Sequence, residues 1–223
     1  MQSHQHIQKG FRRFQLKAIG VMAILIGPAV LFDTTIVYGL PFPRSISETA
    51  TIANQTSPIL PFCLGALALF SLTYAFIHNY DRLDQIFTIG IFIGFTIVAM
   101  QMCASPFITD TSRVGILGIS ENISSILHNL GAVIGFCCMI LWIIICFTKS
   151  DMIVHEQTKE KRFRNNCYLY LGIAMILSML FFLLDYTGIF GDDFPVVFVA
   201  ECFMLILGGI ACLIKGGVVF RDK

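Results

Sequence analysis

Six long apolar stretches run through the chain and are separated by more polar connections, the longest of the exterior ones near residues 41–57 and 105–123. A helix needs roughly 20 mainly apolar residues to cross the hydrocarbon core of a membrane. The pattern therefore predicts an all-α fold, a polytopic integral membrane protein built as a bundle of six transmembrane helices. We expect one domain over residues 16–218, between tails at 1–15 and 219–223. Its helices are predicted near residues 16–40, 58–78, 86–104, 124–147, 167–187 and 196–218.

The composition agrees with a membrane location. Hydrophobic residues make up 56% of the 223 and charged residues 13%, whereas about 25% of residues are charged in typical soluble domains. The surplus apolar surface needs lipid as its solvent, which predicts a multi-pass protein of a cellular membrane. The net charge of +1 gives no support for nucleic-acid binding, so we expect membrane lipids as partners and leave open a membrane-protein partner and the oligomeric state.

Basic residues are distributed unevenly between the two sides of the predicted bundle. Lys and Arg beside spanning helices are enriched on the cytoplasmic side of a membrane. With six spans, only Arg44 and Arg113 fall on the exterior side, so both termini are predicted to be cytoplasmic. The cytoplasmic side receives Lys9, Arg12, Arg13, Lys17, Arg82, Lys149, Lys159, Lys161, Arg162, Arg164, Lys215, Arg221 and Lys223.

Four ionisable residues interrupt the apolar stretches in their exterior halves: Asp33, His128, Asp185 and Glu201. Charged groups inside the hydrocarbon are expensive and mark functional sites by default. At about 1.5 Å per residue, all four fall at a similar depth, roughly 3–10 Å below the exterior helix ends. No comparable group is expected in the cytoplasmic halves. The layer predicts a polar pocket that opens to the exterior, and the alternative is that these residues only bond one another and the helix ends.

Other polar residues are expected to complete this pocket. Gln101 and Asn129 lie at the same depth, and Ser45, Ser47 and Glu48 approach it from the first exterior loop. The predicted ligand-binding set is Asp33, Ser47, Glu48, Gln101, His128, Asn129, Asp185 and Glu201.

Three functions are compatible with such a pocket. The leading interpretation is a non-enzymatic protein that binds a lipid headgroup or small polar ligand. One alternative is an intramembrane lipid-modifying hydrolase that uses His128, Ser47, Glu48 and Glu201. The other is an ion- or proton-coupled small transporter, motivated by Asp33 and Glu201. We expect no cofactor and no metal, because paired histidines at metal-binding spacing are missing from the predicted helices, although carboxylates such as these suit a hard cation like Ca²⁺.

Two kinds of short motif concern the helix surfaces. The pairs Gly90-x-x-x-Gly94 and Gly131-x-x-x-Gly135 predict close contacts between helices inside the bundle. The basic segment 159–164 is interpreted as an orientation signal, with binding of anionic lipid headgroups as the alternative.

Three local patterns together resemble a known family. Pro43-Arg-Ser-Ile-Ser-Glu-Thr49 follows the first helix, His128-Asn-Leu-Gly-Ala132 opens the fourth, and Ala200-Glu-Cys202 lies in the sixth. In order and spacing they are similar to the motifs of the DRAM (damage-regulated autophagy modulator) and FGF-receptor-activating-protein (Frag/Sfk-type) six-transmembrane superfamily. Asn129 and Cys202 depart from the Asp and Trp usual there, as does Thr49-Ala50 from Thr-Gly.

The resemblance implies a six-helix membrane protein related to lipid or GPI-anchor remodelling, phosphoinositide-kinase scaffolding or autophagy. It supplies no reaction mechanism. It selects Ser47, Glu48, His128 and Glu201 as the motif residues, which already belong to the pocket predicted from depth.

Overall fold

A computed structural model describes residues 2–37, 39, 42, 59–77, 81–102, 113–114, 118–148, 159–185, 189 and 195–218. For residues 2–8, 102, 113–114, 121, 182–183 and 185 it describes the backbone alone.

The described chain is all-helical, as predicted from its apolar pattern. Two helices end in a wider, π-helical segment: α1 (Gln2–Phe32) continues as Asp33–Val37, and α4 (Glu121–Leu141) continues as Trp142–Phe147. The others are α2 (Ile59–Ile77), α3 (Arg82–Met102), α5 (Lys159–Asp185) and α6 (Val196–Lys215).

A short antiparallel strand pair, absent from the sequence-based expectation, precedes α4. Strands β1 (Arg113–Val114) and β2 (Ile119–Ser120) pair in the register Arg113 with Ser120. Gly118 has a φ of +57° at the start of the returning strand, a conformation that residues with a Cβ rarely adopt.

Three helices begin earlier than their apolar stretches do, and all three starts lie at the same end of the molecule. α1 begins at Gln2 instead of residue 16, α3 at Arg82 instead of 86, and α5 at Lys159 instead of 167. For α3 the cause is visible, because Asp81 Oδ1 accepts a hydrogen bond of 3.0 Å from the backbone N–H of Leu83 and so caps the helix. Hydrophobicity locates the membrane-facing part of a helix and says little about where its polar end stops.

The helices contact one another in chain order around a ring. Each packs against the next one, α4 reaching α5 mainly through its π-helical end, and α6 returns to pack against α1. Consecutive helices run in opposite directions, so helices on opposite sides of the ring are three steps apart in the chain. The core is apolar and includes the fully buried Ile26, Leu60, Ile143 and Met175.

Glycines set the closest helix contacts. At Gly94 of α3, an added Cβ would lie 2.4 Å from the backbone N of Gly135 and 2.6 Å from the carbonyl oxygen of Gly131 on α4. The two Gly-x-x-x-Gly pairs therefore pack against each other inside the protein, which confirms the prediction of internal contacts. A second close contact joins α1 to α6, where a Cβ at Gly20 would lie 2.7 Å from the carbonyl oxygen of Gly209.

Five of the described helical segments are long and apolar enough to cross a membrane: Lys9–Val37, Ile59–Ile77, Arg82–Gln101, Asn122–Phe147 and Val196–Lys215. α5 is not among these five, and its first turns, from Lys159 to Arg164, are strongly charged. Large apolar side chains point outward from the helices, for example Phe62 at 76% exposure and Phe76 at 69%. This distribution suits lipid rather than water as the surrounding solvent.

Candidate functional site

Part of the predicted exterior pocket lies outside the described residues. Ser45, Ser47 and Glu48 belong to the connection between α1 and α2, which is not described. Asp185 is the last residue of α5, and only its backbone is described. Described helices carry the remaining predicted residues, which are Asp33, Gln101, His128, Asn129 and Glu201.

Asp33 and Glu201 are both buried and lie on neighbouring helices. Asp33 is 5% exposed and begins the π-helical end of α1, and Glu201 is 8% exposed in α6. A Cβ added at Gly27 of α1 would lie 2.7 Å from Cys202 Sγ of α6, so these two residues lie at the same level. Glu201 is thus level with Pro28, about 7 Å deeper than Asp33 at 1.5 Å per residue. The two carboxylates occupy the same half of the protein, although not the common depth expected from the sequence.

Gln101 forms a second buried polar group with a residue that the sequence analysis missed. The hydroxyl of Ser124 in α4 donates a hydrogen bond of 2.8 Å to Gln101 Oε1 in α3, and both side chains are buried. His128 is partly buried and lies one turn after Ser124 on the same side of α4. The four-residue spacing between Ser124 and His128 is the signal that could have indicated Ser124.

Asn129 does not join this group. It is exposed, while its neighbour His128 is partly buried, because consecutive helical residues point about 100° apart. Asn129 thus lies on a different side of α4 from Ser124 and His128, and its place in the pocket stays a prediction.

The two buried groups lie on opposite sides of the ring, Asp33 and Glu201 on the α1–α6 side and Gln101 with Ser124 on the α3–α4 side. Across the part of the chain that the structure describes, no three His, Cys, Asp or Glu side chains converge as a metal site would require. What these side chains provide is hydrogen-bonding capacity and two carboxyl groups in this half of the ring of helices.

The opposite half contains a buried charged network, which corrects the expectation that no comparable group occurs there. Asp84 of α3 is 5% exposed. Its Oδ2 accepts a hydrogen bond of 3.2 Å from the hydroxyl of Tyr74 in α2 and one of 3.3 Å from Arg12 Nη2 in α1. Its Oδ1 accepts a hydrogen bond from the indole N–H of Trp142 in α4. Arg12 Nε also donates to the Tyr74 hydroxyl at 2.7 Å.

This network was not predicted from the sequence, because α1 and α3 were expected to begin later in the chain than they do. Arg12 and Asp84 were assigned to a tail and a loop, although both lie inside membrane-length helical segments. One signal was available, since Trp142 is the only tryptophan of the chain and lies inside an apolar stretch, where a buried indole N–H needs an acceptor.

Aromatic rings extend the network around the whole ring of helices. Tyr74 contacts Trp142 with ring centroids 5.3 Å apart, Trp142 contacts Phe147 at 4.8 Å, and Phe147 contacts Tyr168 of α5 at 5.3 Å. Lys215 of α6 completes it, because its Nζ lies 5.5 Å from the Phe147 centroid and 5.4 Å from the Tyr168 centroid. All six helices contribute to this layer, which we call the closing layer.

Lys215 also stabilises the π-helical end of α4. Its Nζ donates a hydrogen bond of 2.8 Å to the carbonyl oxygen of Phe147. The last carbonyls of a helix lack partners within the helix and carry partial negative charge, so a cation is favourable there. The closing layer therefore combines two cations and one carboxylate with hydrogen-bond partners for each.

No family model, no curated protein and no solved structure matches the chain. The resemblance to the DRAM and FGF-receptor-activating-protein superfamily thus rests on its three short motifs. Of their selected residues, Ser47 and Glu48 lie outside the described residues, His128 lies on α4 and Glu201 on α6.

Proposed function

We propose that the chain crosses a membrane six times, with both termini in the cytoplasm, and that its exterior half binds a lipid headgroup or small polar ligand. The topology is supported by the end of the molecule at which the basic residues collect. The ends of the described helices that adjoin the closing layer carry Lys9, Arg12, Arg13, Lys17, Arg82, Lys159, Lys161, Arg162, Arg164 and Lys215. Basic residues concentrate on the cytoplasmic side of membrane proteins.

The sixth span in this proposal is α5. From Tyr168 onward, α5 packs antiparallel beside α6 and exposes large apolar side chains such as Ile173, Leu177 and Phe181 on its outer side. Its neighbours in the ring, α4 and α6, are both of membrane length. A helix between two spanning helices, with an apolar outer surface, is best accommodated by spanning as well.

Fusion reporters test this topology. Green fluorescent protein folds in the cytoplasm and alkaline phosphatase is active only outside it. We expect fluorescence for fusions after residue 155 and after residue 218, and phosphatase activity for a fusion after residue 190. Equal behaviour of the fusions after 155 and 190 would refute α5 as a span.

The binding function is supported mainly by one observation, the burial of Asp33 and Glu201 in the exterior half of two adjacent helices. Ionisable side chains inside a membrane carry a large desolvation cost and are retained mainly where they serve a pathway or a ligand. Two carboxyl groups on adjacent helices suit a ligand that presents a cationic amine or several hydroxyl donors. Aminophospholipid headgroups have this chemistry, and the family resemblance implies a role in lipid handling.

Lipid retention measured by native mass spectrometry tests the binding proposal. The full chain is purified in mild detergent and offered phosphatidylethanolamine, phosphatidylcholine or phosphatidylglycerol. We expect the unaltered chain to retain one of the amine-bearing lipids and Glu201→Gln and Asp33→Asn to lose it. Glu160→Gln is the matched control, because Glu160 is exposed at the other end of the molecule. If all four proteins retain the same lipids equally, the exterior site has no such ligand.

A coupled transporter is the second candidate, and one observation favours it. Asp84 gives the cytoplasmic half a buried carboxylate, so acidic groups occur on both sides of the apolar core. Transporters move ions between such groups by alternating access. Proteoliposomes with an internal pH-sensitive dye would report proton uptake that Asp84→Asn and Glu201→Gln abolish. Identical dye traces with and without the protein would rule out proton coupling.

A further inference from the structure

α6 ends well before its two neighbours at the cytoplasmic side. Lys215, the last residue of α6, lies beside Tyr168 of α5. Gly216 follows it and lies against α1 at Arg13 and Lys17. Beyond these levels α1 continues to Gln2 and α5 to Lys159. At 1.5 Å per residue, α1 extends about 16 Å and α5 about 13 Å past the end of α6. Among the described residues, the two extensions therefore form the walls of a notch above the C-terminus of α6.

The wall from α1 is basic on the side that faces α6. The side of α1 that contacts α6 carries Gly27, Gly20 and Arg13, which are spaced seven residues, or two helical turns, apart. A further turn along the same line, past the end of α6, brings Lys9 and Gly10. Residues 2–17 contain no Asp or Glu, so the positive charges of Lys9 and Arg13 are not compensated by acidic residues of this part of α1.

The wall from α5 is basic on the corresponding side. Met175 contacts α6 near Gly208, and Tyr168, seven residues earlier, contacts Lys215. Seven residues earlier again the same line reaches Lys161, with Arg164 on the intervening turn. Both side chains are partly buried, unlike the exposed Lys159 and Arg162 on the other sides of α5.

We propose that this notch binds the phosphate-bearing headgroup of an anionic phospholipid. Lys9 and Arg13 approach from one wall and Lys161 and Arg164 from the other, and Arg and Lys are the residues that bind phosphate groups most strongly. The N-terminal end of α5 adds the positive end of a helix dipole. Basic recesses between helices at the cytoplasmic surface are where anionic headgroups are held in other membrane proteins.

Exposed aromatic rings at the same level favour a lipid over a free phosphate ion. Phe11 and Phe14 of α1 are 45% and 59% exposed, and Phe163 of α5 is 53% exposed. Phenyl rings on the outer side of the notch can contact the glycerol and acyl part of a lipid, whereas a dissolved phosphate gains nothing from them. The notch requires only that this end of the helices lies at a membrane surface, and it does not depend on the exterior site.

Thermal stabilisation in detergent by short-chain lipids tests the proposal. The full chain is titrated with dioctanoyl phosphatidic acid, dioctanoyl phosphatidylcholine and inorganic phosphate. We expect phosphatidic acid to raise the melting temperature saturably and the other two to have little effect. The variant Lys161→Gln/Arg164→Gln should weaken the apparent affinity about tenfold or more, since each basic residue near the surface contributes substantially to anionic-lipid binding.

The control variant is Lys159→Gln/Arg162→Gln, which removes the same charge from the exposed sides of α5. It should keep the affinity within about twofold. An equal loss in both double variants would show that binding follows overall charge and would overturn the notch, and equal stabilisation by inorganic phosphate would overturn the assignment to a lipid. Glu201→Gln should leave this binding unchanged, so failure of the exterior site and failure of the notch are distinguishable.

Discussion

The hydroxyl of Tyr74 lies 3.2 Å from Oδ2 of Asp84 and joins the end of α2 to the start of α3. It also accepts a hydrogen bond from Arg12 Nε, so one phenol links a cation and an anion that come from different helices. In a low-dielectric interior, such a network is stabilising only while each member keeps its partners. The closing layer can therefore be tested by removing its members one at a time.

Replacing Asp84 with Asn should be strongly destabilising. The substitution removes the counter-ion of Arg12, whose side chain is 35% exposed, and weakens the hydrogen bonds that the buried carboxylate accepts, which we expect to cost about 1.5–3 kcal/mol. The measurement is thermal unfolding of the full chain in detergent, compared with Glu160→Gln as a control that removes one negative charge from an exposed position outside the network. Equal melting temperatures for Asp84→Asn and the unaltered chain would contradict the role assigned to the layer.

Replacing Tyr74 with Phe should cost about 1–2 kcal/mol, because the Arg12 Nε loses its acceptor and Asp84 loses one donor while the ring contact with Trp142 persists. Tyr170→Phe is the matched control, since Tyr170 is 67% exposed. The difference in the free energy of unfolding between the two variants, obtained from thermal unfolding, measures how much the buried hydroxyl of Tyr74 contributes to stability. A loss as large in the Tyr170 variant would attribute the effect to something other than the network.

Trp142 provides a spectroscopic reading of the same layer. It is the only tryptophan, it is 1% exposed and its indole N–H bonds Asp84. Intrinsic fluorescence of the chain should be resistant to quenching by iodide and should shift in wavelength in Asp84→Asn. Emission at the wavelength of a water-exposed indole in the unaltered protein would show that the layer is open.

Gly94→Ala should separate α3 from α4. The new Cβ would lie 2.4 Å from the backbone N of Gly135, and backbone atoms cannot move aside as a flexible side chain can. We expect a loss of at least about 1–3 kcal/mol, as in overpacked cores. Gly65→Ala is the control, because a Cβ there would meet nothing within 4 Å; it should be neutral or slightly stabilising. Similar melting temperatures for both variants would mean that the contact is not tight.

The hydrogen bond between Ser124 and Gln101 suits a double-mutant cycle. Ser124→Ala should cost about 1 kcal/mol, because the buried Gln101 Oε1 loses its 2.8 Å donor. Adding Gln101→Leu should recover most of that loss, since apolar replacement of both partners leaves no buried polar atom unsatisfied. Additive losses in the double variant would indicate that the two side chains act separately.

Most of the helical architecture followed from hydrophobicity, and most of the closing layer did not. The positions of α2, α4 and α6 agree with their apolar stretches within a few residues, because burial and lipid contact both select apolar side chains. The burial of Asp84 and Arg12 was not predicted, because a charged residue near a helix end has the sequence pattern of a loop residue. Only its partners in three dimensions show that it is buried.

The burial of some residues of the expected pocket could be predicted, and their positions around the helices could not. The burial of Asp33 and Glu201 followed from the cost of placing carboxylates in apolar helices, which requires no knowledge of neighbours. The outward position of Asn129 could not be derived, because depth along a helix is independent of the direction around it. Ser124 lies four residues before His128 on the same side of α4, but that spacing does not show that its partner is Gln101 of α3.

The contact between Gly20 and Gly209 has a consequence for how the protein is made. α1 is synthesised before α6, so the surface of α1 around Gly20 lacks its neighbour Gly209 until α6 has been made. The ring of described helices can close only when α6 packs against α1. A truncated chain that lacks α6 would leave that surface of α1 uncovered, and we expect the loss of α6 alone to be enough to mark the whole protein for degradation.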